Sequence, residues 1–151
     1  MLNGHNKGFT LLELLIVIII VGVMATLGLS QYSQVVERSR GAEARQILGQ
    51  MRSICAAIYM EEETNARCLA AGGSALGLGA ASDGRIPNAA CNQSHYFRYT
   101  IAASNGTQGM DYTATRCNAG GKIPQATGVR TLTLWANYQT GRSDWVSPNG
   151  Y

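Results

Sequence analysis

Histidine is almost missing from this chain: two occur in 151 residues, His5 and His95. Charge is also scarce, at 14% of the residues, and between Phe9 and Leu29 a single charged side chain occurs, Glu13. There is no Gly-x-Ser-x-Gly turn, no phosphate-cradling glycine loop and no Cys-x-x-Cys pair. Those absences remove the usual signatures of elbow-type hydrolases, P-loop nucleotide enzymes and zinc sites. No pair of carboxylates is placed by a visible scaffold either, so the sequence carries no catalytic constellation and implies no cofactor. Asp83, Asp111 and Asp144 lie in or near glycine-containing loops, too sparsely for a calcium loop. The net charge of +3 comes from cations spaced along the chain without a basic cluster, which gives nucleic acid no footprint.

What is present in force is one apolar run. Phe9 to Leu29 is 21 residues of mostly leucine, isoleucine and valine, which as a helix at ~1.5 Å per residue spans roughly 30 Å, one hydrocarbon core. A carboxylate in that setting costs about 2.5–3.5 kcal/mol even on lenient insertion scales and marks a functional position. Glu13 needs a cation, and the run supplies none. Cutting the chain between Gly8 and Phe9 would create one, because the new α-amino group of Phe9 lies one helical turn from Glu13. That amine can pair within one chain or with Glu13 of a neighbour, and a desolvated pair interacts far more strongly than an exposed one.

The stretch Gly8-Phe9-Thr10-Leu11-Leu12-Glu13-Leu14, behind a short segment containing Lys7, resembles the type IV pilin family, including the pseudopilins of type II secretion. The resemblance covers about residues 1–60. It implies a leader, residues 1–8, removed after Gly8 by a prepilin peptidase, with N-methylation of the new terminal Phe9. It also implies that Glu13 guides identical subunits into a helical filament by pairing with a neighbour's N-terminal amine, with inner-membrane machinery driving assembly. The family often bends its helix at a proline; Ser30 stands at that place here.

Two other readings compete. Gly28-Leu29-Ser30 is a small-x-small end, as in a secretory signal peptide cut near Ser30, which would release or anchor an ordinary binding domain. That leaves Glu13 unexplained, since an acid in such a core only impairs it. The other is a pseudopilin, periplasmic rather than on an extracellular filament. In every case His5 and Lys7 keep the N-terminus cytoplasmic and the precursor in the inner membrane.

Beyond the run, residues 30–151 read as one exported domain, large enough for one modest core. No proline interrupts Ser30 to Glu63, and Ile47, Leu48, Met51, Ile54, Cys55 and Ile58 recur at helical spacing. One helix from Phe9 to about Glu63 is expected, apolar all round at first and on one side later; the alternative is a break near Gly28–Ser33. Glu61-Glu62-Glu63 then oppose the helix dipole at its end, as a solvated tip or as a contact for arginines of an adjacent subunit. Residues 66–95 are rich in glycine and alanine and read as a long connection. Alternation predicts strands at Tyr96–Ala102, Asp111–Cys117 and Thr131–Tyr138, with a short fourth around Asp144-Trp145-Val146. The fold class is therefore α+β, a long N-terminal helix packed on a small antiparallel sheet (residues 96–151), in a pilin-like arrangement. Trp135 falls on the polar face, with the C-terminal tail or a neighbour as its cover. Four cysteines in an exported domain imply two disulfides with three possible connectivities. Cys55–Cys68 and Cys91–Cys117 close the short local loops and are the pairings expected.

Overall fold

The computed structural model describes residues 8–70, 90–104, 109–122, 128 and 130–146. Most of the expected leader, most of the 66–95 connection with Asp83, and the tail after Val146 lie outside the described residues. The chain divides into two compact units, Met1–Arg38 and Ser39–Tyr151. Helix α1 (Leu11–Glu62) contributes to both and runs unbroken through Gly28 and Ser33.

In the first unit α1 is apolar on every side. No large apolar side chain from Phe9 to Leu29 is less than 46% exposed. This single helix is long and apolar enough to cross a membrane. Thr26 handles its hydroxyl locally, donating to the Val23 carbonyl at 2.8 Å, so the polar atom does not need an outside partner.

In the second unit α1 buries one stripe. Ala44, Leu48, Met51, Cys55 and Ile58 are buried, with Ile47 and Ile54 half-buried beside them. Spacings of three and four put these on one face, and that face meets the sheet. The helix stops at Glu63, which adopts the left-handed conformation (φ 54°) and donates its N–H to the Tyr59 carbonyl at 2.8 Å. Such a stop is usually made by glycine, because a side chain there costs roughly 1–2 kcal/mol. A short helix α2 (Ala66–Leu69) follows, and its Cys68 is bonded to Cys55 with the Cα atoms 5.8 Å apart.

The sheet is an antiparallel meander of β1 (Phe97–Ala103), β2 (Gly109–Arg116), β3 (Thr131–Asn137) and β4 (Arg142–Val146), in that spatial order. The strands sit within two residues of the sequence expectation, except that the short fourth begins at Arg142. Cross-strand partners share a face, so Tyr99, Ala114 and Leu132 fall in one buried row, and Ile101, Tyr112 and Leu134 in the next. The outer face carries Thr100, Thr113 and Thr133 in one row, with the Thr113 and Thr133 hydroxyls 3.2 Å apart. Between β3 and β4 the turn uses Gly141 at φ +70° and an Asn137 side chain accepting from Thr140 N–H at 3.0 Å. Cys91 and Cys117 are bonded, their Cα atoms also 5.8 Å apart, and Gly121 is obligatory beside them: a Cβ there would lie 2.3 Å from the Cys117 Cβ.

Polar atoms enter this core as one linked group. The Tyr138 hydroxyl donates to the Arg52 carbonyl at 3.0 Å and is hydrogen-bonded to the Tyr112 hydroxyl. The Tyr59 ring stacks on Tyr138 with centroids 5.6 Å apart. Burial pushes the Tyr99, Tyr112 and Tyr138 hydroxyls up from the ordinary tyrosine range, with the Glu43 charge adding to the effect at Tyr99.

Two outcomes are expected. Leu48 is fully buried, so Leu48→Ala should cost about 2–5 kcal/mol, whereas Gln46→Ala on the exposed side should stay within about 0.5 kcal/mol; chemical denaturation of the full chain in detergent measures both. The second concerns pH. The folded chain holds protons on these three tyrosines that the unfolded chain releases near pH 10, so their contribution is constant below about pH 10 and is lost as pH rises above it. A melting-temperature series across alkaline pH should show that fall, and Tyr112→Phe should make it shallower.

Candidate functional site

Thr10 precedes the first helical residue and Glu13 follows three positions later, the spacing of a capping box. The bonds are reciprocal. Thr10 N–H donates to Glu13 Oε2 at 2.9 Å, the Thr10 hydroxyl donates to the same oxygen at 2.9 Å, and Glu13 N–H donates to Thr10 Oγ1 at 3.2 Å. The carboxylate is therefore folded back toward the start of α1, over amides that would otherwise lack partners. A negative charge there also complements the helix dipole.

Gly8 and Phe9 lie directly before this cap. Both are exposed, and a Cβ placed on Gly8 would meet nothing within 4 Å. Gly8, Phe9 and Glu13 thus occupy one end of one helix, and the peptide bond between the first two is open to approach. The cysteines sit elsewhere, in the second unit, where Cys55–Cys68 ties the end of α1 to α2 and Cys91–Cys117 ties the segment before β1 to the end of β2. His95 is engaged through its backbone, donating to the Asn92 carbonyl at 2.9 Å and accepting from Lys122 N–H at 2.8 Å. Asp111 and Asp144 lie on either side of Trp135 in the sheet register. Among the described residues no three His, Cys, Asp or Glu side chains gather at metal-ligand range. Trp135 is half-buried, and its indole nitrogen would be 3.2 Å from a Cβ on Gly109, so the missing side chain of Gly109 leaves room for the ring.

Sequence reasoning missed two things. One is Thr10, although Thr-x-x-Glu ahead of an apolar run was there to be read. The other corrects the expectation that no basic cluster forms. Arg40, Lys122 and Arg116 converge on the Tyr96 ring at 4.4, 4.9 and 5.0 Å from its centroid. They are scattered along the chain, and only the packing of the segment before β1 between α1 and the end of β2 brings them together.

An exposed apolar helix capped by its own acid, continuing into a helix-on-sheet domain, defines a class of structural subunit. Comparison with known proteins agrees. Residues 3–29 match the family described as the prokaryotic N-terminal methylation motif. The chain is 31% identical over 128 residues to the type IV major fimbrial protein FimA of Dichelobacter nodosus, covering 84% of this chain and 75% of that one. It is 29% identical over 145 residues to the fimbrial protein EcpC of Eikenella corrodens, covering 96% and 84%. It is also 26% identical over 144 residues to a fimbrial protein of Neisseria meningitidis serogroup B, covering 95% and 74%. No solved structure matches. The chain belongs to the type IV fimbrial protein, or type IV pilin, family, and is a structural subunit rather than an enzyme.

Removing the Thr10 hydroxyl should loosen the first turn. Thr10→Ala is expected to cost the cap about 1 kcal/mol, seen as roughly fivefold faster hydrogen exchange at the Glu13 amide of the full chain in micelles, while Thr10→Ser should exchange at the parent rate.

Proposed function

We propose that this chain is made as a prepilin, cleaved between Gly8 and Phe9 by a prepilin peptidase, N-methylated on Phe9 and assembled with identical subunits into a helical filament. Residues 1–8 are then the leader, 9–29 the segment that sits first in the inner membrane and later in the filament core, and 30–151 the domain outside. The observation that carries this reading is the position of Glu13. Its carboxylate is held at the N-terminal end of α1, where cleavage would produce the only cation within reach in the run. Processing leaves Thr10 in place, so the cap keeps the acid aimed at the terminus while the Phe9 amine of a neighbour arrives.

Moving the helix from lipid to a protein core gains little hydrophobic energy, because lipid chains are as apolar as leucine. Register must come from packing and from the charge pair, and inner-membrane machinery must supply the work of extraction. Gly22 and Thr26, four apart, form a small-residue pair that allows close approach of a second helix. The same surface used head to tail, with a rotation that does not close, gives a filament. Nucleic acid is not part of the reading. The relatives are named fimbrial proteins, which supports an extracellular pilus over the periplasmic pseudopilin arrangement.

The test has two parts. Intact mass of the protein in sheared cell-surface material should give a chain starting at Phe9 with one extra methyl group; a chain starting near Gln31 and free in the medium would mean an ordinary secreted domain. Glu13→Gln should then be cleaved normally yet lower filament yield by about tenfold or more, and normal yield would remove the pairing step.

A further inference from the structure

Tyr96, immediately before β1, carries three cations round its ring. Arg116 is buried, and its Nη1 donates to the carbonyls of Tyr96 at 2.8 Å and Cys117 at 3.1 Å. That guanidinium is fixed, and its position fixes the ring. Arg40, half-buried on α1, lies 4.4 Å from the ring centroid, and the exposed Lys122 lies 4.9 Å away. The ring quadrupole holds cations in place, but it does not cancel their sum, and like charges at this range repel. The result is a preorganised positive site whose open rim is Lys122 and Arg40.

The other end of the same stretch of α1 is acidic. Glu61, Glu62 and Glu63 are all exposed. Arg67 accounts for one of them, at 2.9 Å from Glu62. Local stability does not explain the three acids: they oppose the helix dipole, and Glu63 sits in a left-handed conformation that favours glycine. From Arg40 to Glu61 the helix advances about 32 Å at ~1.5 Å per residue. That is about three or more screening lengths at physiological salt, so the two ends do not neutralise one another within a chain.

We propose that the cation cluster at Tyr96 docks on the Glu61-Glu62-Glu63 helix end of a second copy of this chain. The contact is heterologous: one end of each copy meets the opposite end of the next, and repeated it generates a row of subunits rather than a closed dimer. Complementary charge of this kind sets orientation and register more than affinity. A nucleic-acid backbone offers the same sign of charge, but the acidic segment is present once on every copy, one for each cluster. The inference rests on the filament reading and deepens it by naming a contact between the domains.

Zero-length carbodiimide coupling of sheared filaments, followed by peptide mass spectrometry, tests it directly. A bond between the Lys122 ε-amine and Glu61 or Glu63 is expected, and it must be between copies because the two ends of one chain are too far apart. Lys122→Glu should lower filament yield about tenfold at low salt, Glu61→Lys likewise, and the two together should recover to within about twofold of the parent. Filaments that form normally with Lys122→Glu, or in which Lys122 couples to neither acid, would overturn this interface and leave the filament reading standing. A chain absent from the sheared material altogether would overturn both.

Discussion

Between Phe9 and Leu29 fifteen large apolar side chains are at least 46% exposed, and that exposure governs everything else the chain does. Burying such a side chain is worth about 1.5–3 kcal/mol, so even half of that, summed over the run, exceeds the whole net stability of an ordinary domain, about 5–15 kcal/mol. Water is not a resting place for this helix. Lipid and the centre of a helical assembly are, and they are nearly equivalent in hydrophobic terms. A subunit that must pass from one to the other therefore needs a polar device to tell the two apart. Glu13 is the one acid in the run, and its carboxylate lies at the helix end where a terminal amine would appear.

The capping box gives that acid a resting state. Two donors from Thr10 satisfy the carboxylate without any second chain, which lowers the cost of carrying it through an apolar environment. The same bonds fix where it points. A carboxylate swinging freely on a helix face would have to be ordered at the moment of pairing, whereas this one is already placed at the N-terminus.

The second unit solves a different problem with the same helix. Its stripe from Ala44 to Ile58 is covered by Phe97, Tyr99, Met110, Tyr112, Ala114, Leu132, Leu134 and Ala136, and the two disulfides secure segments that contribute little to that core. Cys55–Cys68 holds α2 against the end of α1, and Cys91–Cys117 anchors the approach to β1. Removing rotational freedom from loops outside the core stabilises chiefly by narrowing the unfolded ensemble. The sheet leaves Trp145 and Val146 exposed on β4, an edge strand carrying charge at Arg142 and Asp144, which discourages edge-to-edge pairing.

Periodicity by itself determined the helix, its apolar and amphipathic halves, and the strands with their inward faces: Leu48, Met51 and Ile58 on α1, Phe97 and Tyr99 on β1, Leu132 and Leu134 on β3. These are local facts, because backbone geometry repeats every 3.6 or 2 residues and burial follows the repeat. Glu13 was legible for a similar reason, as one charge in a run that excludes charge. Arg116 was not. It lies on the inward face of β2 where periodicity calls for an apolar residue, and it is tolerated because the Tyr96 and Cys117 carbonyls and the Tyr96 and Phe97 rings surround it. Nor was the meeting of Arg40, Tyr96 and Lys122, residues up to 82 positions apart. Convergence over such separations depends on which face of α1 the segment before β1 crosses. Sheet register and helix packing set that jointly, and no pattern within either segment encodes it.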